Sequence, residues 1–448
     1  MQELVYIVVL CLVMLVHIYM LFNTNRRCGG VNIYSAVLFT LLLYVDIIPI
    51  LIFAGGADGV NNSYTAMISL VKECKIEQFA LAEFAILLFS IVFHAIYLRF
   101  NNRKTSKIYA FDERKMHDIV LCITVLTFIV GGGAFLLYMK AFGGISSMLS
   151  YASYFRTFRT NNAEVLGSAV ILVVPARLVT VTPSVLWTLI KTSRKWEYVK
   201  KFLFVIALFF STIFLLFNAG KTAVIIMLLS FAIPMLKKWT KHPWALAIIG
   251  GCFMLPFLGV LDSLFDYIST GKWAPYSKQA TAYIGQFSYV YGNVLNLSEM
   301  VDMSGLRWGS DFITGVLNVI PGVDFSASYE ITSRLHFGDN WMQVAGVPDD
   351  IISFGYLQFG ILGVVLVATL LGVISGKLDR LIMQMDYEKY GVIITTVILG
   401  VYSYMINADI GVLVKSQFQL TLCSICILYS FSDKYNRHKR IKFTFKGV

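Results

Sequence analysis

Ionisable side chains collect in one long polar stretch, residues 262–350, that separates two apolar regions of the chain. His336, Asp349 and Asp350 lie toward the end of this stretch. An imidazole or carboxylate within hydrogen-bond reach of a hydroxyl group can take its proton as that oxygen attacks an electrophile. We therefore predict that one of these three residues is a general base acting on a polar substrate.

Four basic residues are candidates for binding a phosphate group. Arg156 and Arg159 are three apart, so a helix would present both planar guanidinium groups on one side. Lys221 follows a tight turn and precedes an apolar helix, whose first N–H groups favour an anion. Arg334 belongs to the polar stretch. Anchoring at a lipid surface is the alternative interpretation of the first three.

Arg177 is a fifth candidate, because it lies inside an apolar run where an unpaired charge is costly. It could line a water-filled cavity and bind an anionic group. It could equally pair with Asp46 or Glu83, which also lie inside apolar runs, as a structural tie.

Aromatic side chains near these groups could contact sugar rings, which pack well on flat apolar faces. They are Trp308, Tyr329, Trp341 and Tyr356. The sequence has one histidine and scattered aspartates here, without the spacing of a metal motif. No nucleotide-binding fingerprint is present either, so we predict neither a metal nor a cofactor.

The elements that position these residues are membrane helices. Of 448 residues, 57% are hydrophobic and 14% are charged. Apolar runs of about twenty residues, each long enough to span a bilayer, recur along the chain. We predict one all-α polytopic membrane domain over residues 1–448, with about eleven spans. These are 4–23, 33–54, 77–98, 117–139, 166–190, 202–217, 222–236, 243–261, 351–376, 390–409 and 411–432.

The distribution of basic residues predicts the orientation of the chain. Lys and Arg concentrate in the short loops on one side and in the C-terminal tail, which marks that side as cytoplasmic. Residues 262–350 are then an extracytoplasmic loop between the eighth and ninth spans. The net charge of +11 arises from these short loops, not from one basic face, so we do not expect nucleic-acid binding. Residues 143–159 and 312–320 are too short or too polar to span and are predicted to lie at the outer membrane surface.

Short motifs resemble those of the Wzy-type O-antigen or repeat-unit polymerases of bacteria. One is the arginine-bearing outer segment 140–165, and another is the turn NAGKTAVIIMLL. A third is GVPDDIISFGYLQFGILG after the long loop, where Tyr356, Phe359-Gly360 and Gly363 resemble the family pattern Tyr-x-x-Phe-Gly-x-x-Gly.

The resemblance implies a metal-independent glycosyltransferase of the GT-C-like plan in the bacterial cytoplasmic (inner) membrane. Such enzymes transfer a growing glycan from an undecaprenyl pyrophosphate carrier onto the distal sugar of another lipid-linked repeat unit, on the outer face. The products are O-antigen, capsule or exopolysaccharide, and a chain-length regulator protein is a candidate partner.

The resemblance also assigns residues to roles. Its outer-loop arginine corresponds to Arg156 or Arg159, its basic residue at the short turn to Lys221, and its long-loop cation to Arg334. Two positions depart from the family pattern: Lys221 stands where an arginine is common, and Phe354 stands where a glutamate is common. The second departure leaves the general base open among His336, Asp349 and Asp350.

Two other functions fit the same pattern. An O-antigen ligase uses the same donor and differs only in its acceptor. A lipid-linked oligosaccharide flippase would account for Arg177, Asp46 and Glu83 as cavity charges, but transporters usually have internal repeats and short loops. Neither an internal repeat nor a short outer loop is evident in this sequence.

Overall fold

The computed structural model describes residues 2–28, 31–55, 65–101, 113–150, 171–217, 221–236, 259–261, 263–264, 267, 280–317, 320, 328–341, 346–413 and 418–431. All regular elements in these residues are helices, and no strand occurs among them. The predicted all-α class is confirmed.

The helices of the first half of the chain are α1 (Gln2–Cys28), α2 (Ile33–Leu41), α3 (Ile48–Phe53), α4 (Thr65–Lys72), α5 (Ile76–Phe100), α6 (Glu113–Ala141), α7 (Ile145–Ser150), α8 (Val173–Ala176), α9 (Thr182–Thr192), α10 (Glu197–Phe217) and α11 (Lys221–Leu236). One segment wider than an α-helix and one tighter segment interrupt this α-helical geometry. A π-helical segment, Leu42–Ile47, joins α2 to α3, and a 3₁₀ turn, Arg177–Thr180, follows α8.

The helices of the second half are α12 (Ala280–Phe287), α13 (Tyr289–Leu295), α14 (Leu297–Ser304), α15 (Ser310–Leu317), α16 (Ser328–Phe337), α17 (Ile351–Phe359), α18 (Ile361–Ile382), α19 (Tyr387–Met405), α20 (Ile410–Val412) and α21 (Phe418–Ser430). Helices α12 to α16 belong to the predicted long loop, so its described residues are largely helical.

Seven helical stretches in the described residues are long and apolar enough to cross a membrane: Gln2–Thr24, Ile33–Phe53, Ile76–Phe100, His117–Ala141, Val173–Thr192, Glu197–Phe217 and Ile361–Ile382. Many of their large apolar side chains are exposed, as lipid-facing residues must be. The protein is therefore a polytopic membrane protein. Two further apolar helices, Ala223–Leu236 and Thr421–Ser430, are shorter. The predicted span 243–261 lies almost entirely outside the described residues, and the count of eleven stays a prediction.

Small residues bring α18 against α5. A Cβ atom at Gly372 would lie 3.1 Å from the carbonyl oxygen of Phe93, and one at Gly376 would lie 3.1 Å from that of Tyr97. Only glycine lets two helix backbones approach this closely, which is how membrane helices gain packing energy without a hydrophobic driving force between them. These contacts fix α18 beside α5.

A buried carboxylate ties three membrane helices together near the same end. Asp379 of α18 accepts hydrogen bonds from the backbone N–H groups of Ile33 and Tyr34 at 2.8 and 3.1 Å. It also accepts one from the Tyr97 hydroxyl of α5 at 3.0 Å. The N–H groups at a helix start have no partner within the helix, and here a side chain from a distant span satisfies them.

Residues 351–376 do not form the single straight span that the sequence predicts. The chain reverses at Gly360, where φ is 60° and ψ is −144°, a conformation that glycine adopts without steric cost. Helices α17 and α18 then pack as a hairpin, and the Gly355 carbonyl oxygen occupies the place that a Cβ at Gly363 would take. The hairpin therefore requires glycine at all three positions.

We expect Gly363→Ala to destabilise the protein by about 1–3 kcal/mol, because the new methyl group collides with the Gly355 carbonyl and forces α17 off α18. Gly133→Ala is the matched control, since Gly133 lies in a membrane helix with nothing within 4 Å of its added Cβ. Thermal unfolding in detergent measures both variants. Equal melting temperatures for the two variants would contradict the hairpin packing.

Candidate functional site

Asp350 caps the start of α17. Its backbone is extended at φ −88° and ψ 167°, and its Oδ1 accepts from the N–H groups of Ile352 and Ser353, both at 3.0 Å. Its Oδ2 has no hydrogen-bond partner among the described residues, although the side chain is only 1% exposed. Burial raises the pKa of Asp350, and the hydrogen bonds from Ser353 and Ile352 oppose that rise. A carboxylate with one anchored and one free oxygen is suited to accept a proton.

Asp349 lies one residue earlier and is fully buried. Neither carboxyl oxygen has a hydrogen bond with the described residues. Burial and then the nearby Asp409 carboxyl raise the pKa of Asp349 well above its usual value. The nearby Ser328 hydroxyl lowers the pKa of Asp349 by a smaller amount, although its position does not meet the geometry of a hydrogen bond. A second carboxyl group nearby disfavours the ionised form of Asp349, which is how Asp409 contributes to that rise.

The backbone holds this pair in place. The carbonyl oxygen of Asp349 accepts a hydrogen bond from the N–H of Ala408 at 2.9 Å. Ala408 follows α19 and directly precedes Asp409. The segment before α17 is thereby fastened to the residues that follow the C-terminal end of α19, which brings Asp349 near Asp409.

His336 is buried, with 4% of its surface exposed. Its Nε2 lies 2.8 Å from Oδ1 of Asn293, and since an amide oxygen only accepts, Nε2 donates. Nδ1 then carries no proton, and its lone pair has no hydrogen-bond partner among the described residues. Burial lowers the pKa of His336 to about 3, so the ring is neutral and a weak base in this conformation.

Asn293 of α13 connects the histidine to the start of α17. Its Oδ1 accepts from His336, and its Nδ2 donates to the Pro348 carbonyl at 3.0 Å. Gly292 beside it leaves room for the imidazole, because a Cβ there would lie 2.9 Å from Cε1 of His336. The Asn293 amide thus connects His336 to the residue just before Asp349 and Asp350.

Helix α16 holds the segment 346–350 from its other side. The Thr332 hydroxyl donates to the Val347 carbonyl at 2.6 Å, and the Val347 N–H donates to the Ser333 hydroxyl at 2.8 Å. All three residues are buried. Helix α16 thus fixes the backbone just before Asp349 and Asp350.

The other end of α17 is capped by the loop as well. The backbone N–H groups of Arg307 and Trp308 donate to the carbonyls of Leu357 and Gln358, both at 2.9 Å. These carbonyls lie in the last turn of the helix, where no intrahelical donor remains. Residues from the predicted long loop thus contact α17 at both ends.

A second polar group fixes this cap. Arg307 binds the Asp311 carboxylate through Nε at 3.0 Å and Nη2 at 2.5 Å. Gln358 donates to the other oxygen of Asp311 at 2.6 Å. The three side chains link the loop before α15, α15 itself and α17.

The predicted phosphate-binding residues are only partly described. Arg156 and Arg159 lie outside the described residues, and Lys221 is described only as the first residue of α11. Arg334 is exposed in the last turn of α16, and Arg177 lies in the 3₁₀ turn after α8, with its charge acting on Tyr138 of α6. Whether these cations share one site stays a prediction.

The alternative pairing of Arg177 with Asp46 or Glu83 can be compared with the observed contacts. Asp46 binds His17, with 2.7 Å between Oδ2 and Nδ1. Glu83 accepts a hydrogen bond from the Tyr291 hydroxyl at 2.8 Å. Both carboxyl groups therefore have partners other than the arginine.

The predicted sugar-binding aromatics have different environments. Trp308 is 71% exposed at a left-handed backbone position and meets the ring of Phe359 edge-on. Trp341 is buried and meets Tyr329 edge-on, with 5.9 Å between ring centroids. Tyr356 is half-buried on α17. Among these, Trp308 is the side chain most open to a sugar ring.

Sequence reasoning missed Asp409 and Asn293. Asp409 lies just after α19, in a stretch that the sequence predicts as the end of a span, and Asn293 lies in a helix with no chemical motif. The available signal for Asp409 was a carboxylate at the end of an apolar run, which is costly unless it has a function or a partner.

No group of three or more His, Cys, Asp or Glu side chains in the described residues is arranged to hold a metal ion. No family model, curated protein or solved structure matches the chain. The function must therefore be argued from the geometry and the sequence motifs.

The buried His336 predicts an acid-sensitive stability. The unfolded chain binds a proton at this residue below its ordinary pKa of 6.5, while the folded chain does not until about 3. Stability is then lost as pH falls below 6.5, by about 1.4 kcal/mol per pH unit. In His336→Gln this contribution is absent, so the melting-temperature difference between the two proteins should shrink as pH falls. A difference independent of pH would contradict the burial of a neutral ring.

Proposed function

We propose that the chain polymerises undecaprenyl-pyrophosphate-linked oligosaccharide repeat units on the outer face of the bacterial cytoplasmic membrane. The finer architecture belongs to the same proposal: about eleven spans in a GT-C-like arrangement, with residues 262–350 as the extracytoplasmic loop between spans eight and nine. The products would be O-antigen, capsule or exopolysaccharide chains.

The observation that carries the proposal is the environment of α17. Its first residues are preceded by two buried carboxyl groups with free oxygens, Asp349 and Asp350. Its last residues carry the motif that resembles the polymerases, Tyr356 to Gly363, in which the glycines at 360 and 363 form the α17–α18 hairpin. Candidate base and family motif therefore lie at opposite ends of one nine-residue helix.

In the proposed reaction, an acceptor sugar hydroxyl attacks the anomeric carbon of the lipid-linked donor. The new glycosidic bond forms as the bond from that carbon to the pyrophosphate oxygen breaks. The hydroxyl proton passes to a protein base, and the pyrophosphate leaves with its lipid. Preorganised cations lower the barrier because they stabilise the charge that develops on the leaving group. Arg156, Arg159, Lys221, Arg334 and Arg177 are the proposed cations.

Asp350 is the best of the three candidate bases. His336 is a neutral ring whose pKa is lowered to about 3, so it holds a proton poorly. Burial and the neighbouring Asp409 carboxyl raise the pKa of Asp349 well above its usual value, which favours its protonated form over the base. Asp350 keeps Oδ2 free and has a raised pKa, which brings its basicity closer to neutral pH.

Replacing the base without disturbing the helix tests this assignment. In Asp350→Asn the side-chain oxygen can still cap α17, since Asn and Asp are equally good caps, but the base is lost. We expect the rate of glycan polymerisation by purified protein with a lipid-linked repeat unit to fall by about 10²–10⁴-fold. The melting temperature should change little.

Asp339→Asn is the control, because Asp339 is an exposed carboxylate in the same loop. It should retain the wild-type rate. Full activity of Asp350→Asn would exclude this residue as the base. Using the lipid-linked unit as the sole acceptor also distinguishes a polymerase, which gives a ladder of products, from a ligase, which gives none.

The pyrophosphate contact is tested at Arg334, whose exposed side chain can be replaced without disturbing the packed interior. We expect Arg334→Ala to slow polymerisation by roughly 10–100-fold, the loss of a charged hydrogen bond. Arg334→Lys should recover only part of the rate, because lysine lacks the planar two-pronged donor. An unchanged rate and product length in Arg334→Ala would remove this residue from the site.

A further inference from the structure

Three polar side chains from three membrane helices meet in the interior of the protein. Nδ1 of His17 on α1 lies 2.7 Å from Oδ2 of Asp46 in the π-helical segment. Nε2 of His17 lies 2.8 Å from Oγ of Ser90 on α5. All three residues have 0% exposure. A π-helical turn inside a membrane helix is uncommon and frequently marks a functional position.

The order of these contacts matches a hydrolytic serine–histidine–aspartate triad, but Ser90 is not a nucleophile. Its Oγ lies 2.8 Å from the carbonyl oxygen of Ile86, to which it donates its only proton. It is also wholly buried, so no substrate reaches it. The serine instead serves as an acceptor that orients the ring.

The hydrogen bonds then fix the number of protons. Because Ser90 donates to Ile86, Nε2 of His17 must donate to Ser90. The short contact to Asp46 needs a second proton, carried either by Nδ1 or by the carboxyl oxygen. Without this second proton, a lone pair of Nδ1 and a lone pair of Oδ2 would face each other at 2.7 Å. Both placements give a histidine–aspartate pair with no net charge.

The electrostatic cost of a buried charge also favours one proton between His17 and Asp46. If Ser90 turned its proton to the histidine, the group would be an anion buried among membrane helices. Such a charge is costly unless a cation compensates it. His17 is the only cationic group acting on Asp46 among the described residues. Oδ1 of Asp46 also has no hydrogen-bond donor there, which is tolerable for a neutral pair and unfavourable for an anion.

We propose that His17 and Asp46, oriented by Ser90, form a proton-binding site in the membrane interior. Its ligand is one exchangeable proton, held between Nδ1 and Oδ2. The titratable groups on the neighbouring elements are Glu83 of α5, which the charge of Asp46 reaches, and Tyr291 of α13, which donates to Glu83. On the same helix, Asn293 lies two residues after Tyr291 and donates to the Pro348 carbonyl, next to Asp349.

Counting the protons directly tests the proposal on the unaltered protein. Protein labelled with ¹⁵N in the histidine rings and ¹³C in the aspartate carboxyls is placed in lipid nanodiscs, and solid-state NMR is recorded near neutral pH. We expect either an imidazolium with an ionised Asp46, or a neutral ring with a protonated Asp46. Finding His17 neutral and Asp46 ionised together would overturn the proposal, because the pair would then lack the bound proton.

Two aspartate variants assign the NMR signals of His17 and test whether losing any carboxyl group would change them. Asp46→Asn should remove the shared proton and leave His17 as a neutral ring. Asp118→Asn is the matched control, since Asp118 lies 3.5 Å from a different histidine, His117, at a half-exposed site. It should leave the His17 resonances unchanged. A His17 imidazolium that persists in Asp46→Asn would also contradict the proposal, because the proton would then not depend on the carboxyl group.

Discussion

Hydrocarbon offers no hydrogen bonds, so a polar group within the membrane helices is stabilised only by partners in the protein itself. The structure meets this constraint with side chains from other helices. Asp379 binds the N–H groups at the start of α2, and His17 binds Asp46. The polar contacts are therefore also the contacts that set which helices lie side by side, and the glycine faces between α5 and α18 let those helices come close enough to make them.

The same constraint shapes the candidate site. Helix α17 has only nine residues, and its ends cannot be left unsatisfied. Asp350 caps one end, and the N–H groups of Arg307 and Trp308 cap the other. Residues that precede α17 in the chain thus contribute to its stability at both ends.

The sequence predicted the all-helical membrane class, because long apolar runs have few other solutions. It also placed Asp349 and Asp350 at the start of a helix. It did not predict the reversal at Gly360, since an apolar run carries no sign of a break except the glycine itself. Nor did it predict the burial of His336 or the proximity of Asp409 to Asp349, because both depend on packing between segments far apart in the chain. The cation site remains a prediction of the sequence alone.

The bond between Asp379 and the start of α2 has a consequence for how the protein is made. Asp379 accepts from the N–H groups of Ile33 and Tyr34, which precede it in the chain by 346 and 345 positions. While the ribosome is still synthesising the middle of the chain, the first N–H groups of α2 lack this acceptor. The early helices can insert into the bilayer but cannot reach their final arrangement until the α17–α18 hairpin has followed them, so assembly is completed from the late part of the chain back to the beginning.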